Sequence, residues 1–170
     1  NNTDFKIAVI TTDSDTLAGP IISRKTADPA KDLSDIVQVG TGGYAFEMGQ
    51  HMAMRALDSG GSLSKGFMRE DASMSVIVVS DEDDYSPLAD LDYHDFFMTL
   101  KEPDLFFFHS VVGFGPVPGC ATERGDRYID QSNYSSGLSL DICTSWGSGL
   151  TTIASPTYVI QEAFPLSKQA

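Results

Sequence analysis

The sequence predicts one α/β domain built on a doubly wound, mostly parallel sheet flanked by helices, and three observations lead there. SVIVVS (75–80) and LFFFHSVVG (105–113) are apolar runs without polar alternation, the mark of strands buried on both faces. Between them, ADLDYHDFFMTLK (89–101) places Leu91, Phe96, Phe97 and Leu100 along one side of a helix. Strand, helix and strand in that order call for a right-handed crossover between parallel neighbours.

The other elements follow in chain order. FKIAVITT (5–12) is rich in Ile and Val and reads as a strand, closed by the turn formers of DSDTLAGP. LSDIVQVGTGG (33–43) reads as a short extended stretch running into a glycine loop. AFEMGQHMAMRAL (45–57) has Ala45, Met48, Met52, Ala53, Ala56 and Leu57 at helical spacing, which predicts an amphipathic helix. SGGSLSKG (59–66) is a loop, RYIDQSNYSSG (127–137) a short helix or turn, and LDICTSWGSGLTTIA (140–154) contains a last helix.

Composition narrows the function classes. With 170 residues, 41% of them apolar and 10% aromatic, the chain can bury a core without staples. Its 24 acidic residues against 11 Lys and Arg give a net charge of −13, which repels phosphate backbones and anionic lipid. Nucleic acid and membrane surfaces are therefore poor partners, and divalent cations or basic groups better ones. No apolar run approaches the roughly 20 residues of a membrane span, and NNTDFK lacks a signal-peptide layout, so the chain reads as a mature or excised piece. Cys120 and Cys143 have no CxxC partner or nearby His, which leaves two thiols or, preferably, a disulfide formed in an oxidising compartment.

The candidate site is the acidic run DEDD (81–84), placed where a buried strand ends. In open parallel sheets ligands bind beyond the carboxyl ends of the strands. The glycine loop VGTGGYAFEMG opens a helix on the same rim, bringing Thr41, Tyr44 and Glu47 near free helix N–H groups. A calcium loop is rejected: Asp81, Asp83 and Asp92 fit three of its positions, but Tyr85 and Ser86 stand where an oxygen ligand and a glycine are required. GTGGYA spells only a loose dinucleotide pattern, with no strong strand before it. His51 and His94 are expected on helix surfaces and His109 at a strand end, with no nucleophile beside them; Trp146 is expected to pack.

FKIAVITTDSD, VGTGGYAFEMG, GFMREDASMSVIVVSDEDDYSP, FHSVVG and RYIDQSNYSSGLSLDIC occur in the order and spacing of a von Willebrand factor A (vWA) domain. From about residue 4 to 154 the chain resembles the vWA domains of large secreted or surface-exposed bacterial proteins. The resemblance implies a Rossmann-like fold and a non-enzymatic adhesion role, through a metal-ion-dependent adhesion site (MIDAS) built from a DxSxS loop, a Thr or Ser, and an Asp. It implies a Mg²⁺ or Ca²⁺ cofactor, an extracellular protein or glycan ligand offering a carboxylate, and a secreted, cell-surface or periplasmic location.

Asp81 matches the family's third-loop aspartate. Thr41 is the nearest aliphatic hydroxyl for the second loop, where Tyr44 occupies the matching position, and Glu47 is a possible carboxylate substitute. Asp83 and Tyr44 are expected to support the loop, while Glu82 and Asp84 are expected mainly to solvate the strand end. The literal DxSxS of Asp71, Ser73 and Ser75 is a decoy, since it precedes strand 75–80 and so lies about 20 Å from Asp81, at the opposite end of the sheet. Asp13 in DSDTL ends a strand, but Asp15 and Leu17 replace the two serines. FKIAVITT matches the family's second strand, so the first strand, first helix and principal metal loop are expected from upstream sequence or another chain. Residues 156–170 are expected to form an extension or a linker. Two alternatives stand beside this reading: a metal-assisted hydrolase or phosphoryl-transfer domain on the same rim, and a degenerate structural scaffold.

Overall fold

The computed structural model describes residues 4–40, 42–44 and 46–154 and is a mixed α/β structure. Its centre is a three-stranded parallel sheet in the order β3 (Met74–Ser80), β4 (Phe106–Val112), β5 (Ser139–Asp141). Met74 pairs with Phe106 and Ser80 with Val112, so the two apolar runs align over their full length. Ser110 to Val112 then pair with Ser139 to Asp141. The predicted parallel crossover is present: α3 (Asp90–Met98) connects β3 to β4, and α4 (Asp126–Tyr134) connects β4 to β5.

One face of the sheet holds the core. Val78, Phe106, Phe108 and Val112 pack with Ala53, Ala56 and Leu57 of α2 (Gly49–Leu57), with Tyr93 and Phe97 of α3, and with Tyr128 of α4. Phe97 sits over the start of β4, its ring 5.4 Å from that of Phe106 and 5.8 Å from that of Phe108. Burying such rings supplies most of the stabilisation available to a domain of this size. The fold closes with α5 (Gly147–Ile153), whose Ile153 is buried. Cys120 and Cys143 form the expected disulfide, tying the loop after β4 to the chain after β5.

Several expectations are corrected. β3 is not buried on both faces, because Ile77 is 45% and Val79 51% exposed. Among the described residues β3 pairs only with β4, so its other edge is open. FKIAVITT contributes only β1 (Lys6–Ile7), which pairs antiparallel with β2 (Ile22–Ser23) in a separate small sheet. Every residue from Phe5 to Thr12 is half-buried, though Ala8 and Ile10 touch the core. A run of that composition forms a ladder only with a neighbour to pair with, and among the described residues it finds one for two positions.

The stretch read as extended, 33–43, begins inside a helix, α1 (Pro29–Ile36). The Asp28 side chain caps it by accepting the Lys31 N–H at 3.1 Å, and Pro29 occupies the first helical position, where its missing N–H costs nothing. Leu91 does not face the core: it is 57% exposed, while Tyr93 and Phe97 are the buried residues of α3. His109 is the fourth residue of β4, fully buried rather than at the strand end. Its Nδ1 accepts the Leu138 N–H at 3.0 Å, and burial lowers its pKa to about 4. The expected extension 156–170 lies outside the described residues.

Candidate functional site

The acidic loop follows Ser80, the last residue of β3, and its four acids separate into two pairs. Asp83 and Asp84 are tied into the structure. Asp84 is buried and accepts the backbone N–H of Gln50 at 3.2 Å, the Gln50 side-chain amide at 3.0 Å and the Ser86 hydroxyl at 2.9 Å. The Arg127 guanidinium lies 3.3 Å away. Asp83 accepts the Arg127 backbone N–H at 3.0 Å, in the first turn of α4, and burial pushes its carboxyl up from the usual range. Both acids therefore satisfy N–H groups at the start of helices, a favourable place for negative charge.

This corrects the expectation that Asp84 solvates the strand end. It also changes what the glycine loop does. The first N–H groups of α2 are not offered to a ligand: Gly49 donates to the Tyr128 hydroxyl at 3.1 Å, Gln50 to Asp84, and His51 to the Ser86 hydroxyl at 3.0 Å. The chain approaches closely at Gly49, where a Cβ would stand 2.5 Å from the Tyr128 oxygen.

Arg127 holds the loop from the other side. Its guanidinium donates to the carbonyls of Asp84 at 2.8 Å, Ser86 at 2.7 Å and Leu88 at 2.6 Å, and to Asp90 at 2.7 Å. The Gln131 amide bridges Gln50 at 2.7 Å and the Asp90 carbonyl at 3.1 Å. Residues 84–90 are thus fixed to α2 and α4 by a buried polar network, in which each group supports the orientation of the next. Sequence reading missed Gln50, Arg127 and Gln131; the isolated polar residues within otherwise amphipathic segments were the available signal.

Asp81 and Glu82 are the other pair. Asp81 is exposed at the rim, its carbonyl accepting the Glu123 N–H at 2.8 Å. Glu47, half-buried, accepts the Ser80 hydroxyl at 2.5 Å, and its carbonyl accepts the Tyr85 N–H at 2.7 Å. The Glu82 carboxyl is pushed up by burial and by the charges of Glu47, Asp81 and Glu123. Asp81 and Glu47 therefore share one rim with Glu82 and Glu123. Tyr44 is 76% exposed and stands apart from this network, whereas Phe46 packs edge-on against Tyr85 with centroids 5.0 Å apart. The Tyr85 hydroxyl donates to Glu123 at 3.2 Å, and the Glu123 charge pushes its pKa up.

The first loop reaches the same end of the molecule. A Cβ on Gly43 would lie 3.0 Å from the Asp13 carboxylate, and the Met48 N–H donates to the Thr12 carbonyl at 2.8 Å. Thr41 lies outside the described residues. Ser75 is near the amino end of β3, as expected of the decoy DxSxS, far along the strand from Asp81.

The oxygen donors of Asp81 and Glu47 suit a hard cation with several bound waters. Among the described residues no group of three or more His, Cys, Asp or Glu side chains is gathered closely enough to enclose a metal ion. Also among the described residues, no helix is long and apolar enough to cross a membrane. No protein-family model, curated protein or solved structure matches the chain.

Proposed function

We propose that this chain is a non-enzymatic vWA-type binding module, whose rim beyond β3 holds a divalent cation that completes its coordination with a carboxylate from the ligand. The observation that carries the reading is the position of Asp81, exposed directly after β3 on a rim it shares with Glu47. Glu47 is oriented by the Ser80 hydroxyl at one oxygen, and among the described residues the other accepts no hydrogen bond, which leaves it for a cation. Mg²⁺ or Ca²⁺ fits an all-oxygen set, and Thr41 is the candidate hydroxyl ligand on the glycine loop. The partner is an extracellular protein or glycan, and the disulfide accords with a secreted, cell-surface or periplasmic location.

The family's first strand and its metal loop come, in this reading, from upstream sequence or another chain. The edge of β3 that is unpaired among the described residues and the half-buried run 5–12 support a sheet that takes one more strand. A hydrolase or phosphoryl-transfer reading needs a nucleophile or base beside Asp81. The rim hydroxyls described are otherwise engaged, Ser80 with Glu47 and Tyr85 with Glu123.

Calorimetric titration with Mg²⁺ and Ca²⁺ tests the proposal. Saturable heat that disappears in Asp81→Ala is expected. Identical heats for the two proteins would sink it.

A further inference from the structure

Opposite the acidic rim, at the amino end of the sheet, lies a small cavity of different character. It has a volume of about 80 Å³ and is lined by Lys6, Arg69 and Lys101 together with Phe67, Met74 and Ser75. Three cations around one cavity are unexpected in a chain of net charge −13. The Lys6 ammonium donates to the Gly66 carbonyl, and that of Lys101 to the carbonyls of Arg69 and Glu70. Arg69 pairs with the exposed Asp4 at 2.6 Å. Among the described residues neither lysine has a carboxylate partner.

The position of the cavity gives it meaning. Lys6 belongs to the run 5–12, and Met74 and Ser75 begin β3, so the cavity separates the starts of two chain segments. At their far ends the same segments are tied together through α2's approach, Thr12 to Met48 and Glu47 to Tyr85. The two segments therefore run in the same sense, from the basic end to the acidic end. They pack on one core through Ala8, Ile10, Val76 and Val78, yet no ladder between them is present among the described residues. Ile77 and Val79 are exposed along this open strand.

We propose that an extended segment of a partner polypeptide docks along the open edge of β3, parallel to it and facing residues 5–12, and that an acidic residue leading that segment seats among Lys6, Arg69 and Lys101. Main-chain hydrogen bonds to a sheet edge supply affinity, while the basic cavity supplies register and selects the charge of the leading residue. The apolar residues that follow cover Ile77 and Val79. The proposal rests on the reading above that the sheet takes a further strand, and it adds the chemistry of that strand.

Two labelled synthetic peptides test it by fluorescence anisotropy in EDTA, which removes any contribution of a cation. One carries two glutamates followed by alternating valine and threonine, and its twin carries lysines in place of the glutamates. The glutamate peptide is expected to bind saturably and its twin about tenfold more weakly, the size of a partly desolvated charge pair. Lys6→Glu is expected to reverse that preference, and Ile77→Lys to weaken both peptides, with circular dichroism confirming that each variant is folded. Should Lys6→Glu not fold, salt dependence of glutamate-peptide binding replaces it: weakening with salt supports the basic cavity, and insensitivity overturns it. Equal binding of the twins overturns the role of the cavity while leaving strand docking in place. Binding of neither peptide overturns the whole proposal, and the separate calorimetric titration still decides the cation site.

Discussion

The guanidinium of Arg127, in the first turn of α4, stands 3.3 Å from the carboxylate of Asp84, whose side chain is wholly buried at the end of the acidic loop. This pair joins the carboxyl end of β3 to the helix that follows β4. Because the same guanidinium also holds three loop carbonyls, the pair sets the shape of the rim on which Asp81 stands.

Removing the Asp84 carboxylate leaves the buried Gln50 backbone N–H and the Ser86 hydroxyl without this acceptor and takes one of two carboxylates from Arg127, which keeps Asp90. Asp84→Ala is expected to destabilise the fold by about 3–5 kcal/mol, read as a lower urea midpoint. Asp84→Asn retains the shape and one acceptor oxygen, so a smaller loss is expected. An Asp84→Ala protein as stable as the parent would contradict the buried network.

Gly49 admits no side chain. A methyl group there meets the Tyr128 oxygen at 2.5 Å, and Tyr128 is buried with nowhere to move. Gly49→Ala is expected to cost about 1–3 kcal/mol, the usual effect of overpacking, and to lower the thermal midpoint.

His109 makes stability depend on pH. Burial lowers its folded pKa to about 4, below the unfolded value near 6.5, so the neutral form is the one the fold accepts. Its contribution is complete above about pH 6.5, falls as pH drops through that value, and levels off below about 4, a change on the order of 2–3 kcal/mol. Glu82 and Asp83 act in the opposite sense, since raised carboxyl pKa values favour the fold as they protonate. Comparing urea midpoints of the parent and His109→Gln between pH 7 and 4 isolates the histidine: the gap between them is expected to shift in favour of the variant as pH falls. A constant gap would contradict the assignment.

The disulfide closes a loop with a sequence separation of 23. Its reduction is expected to cost about 3 kcal/mol, visible as a lower thermal midpoint in dithiothreitol than without it.

What the sequence disclosed was local. β3, β4 and the helices after them follow from apolar runs and helical spacing, and Cys120 and Cys143 follow from the absence of any metal partner. The role of Asp84 was not legible, because its burial depends on Arg127, 43 residues away. Four consecutive acids look alike until the fold shows two of them meeting helix N–H groups. The run 5–12 misled for a related reason: a strand is defined by its neighbours, and among the described residues this one finds a ladder partner for two residues. The helix α1 was missed although Asp28 and Pro29 carried its start signal, because the apolar residues after it favoured an extended reading.

In the proposed function Asp81, and not the acidic loop as a whole, faces a cation. Amide nuclear magnetic resonance during Mg²⁺ or Ca²⁺ titration tests it most directly. Saturable shifts are expected to concentrate at Glu47, Asp81 and Glu82, to leave Gln50, Asp84 and Arg127 nearly unmoved, and to vanish in Asp81→Ala. Shifts spread evenly over the exposed acids, or unchanged in that variant, would contradict the account.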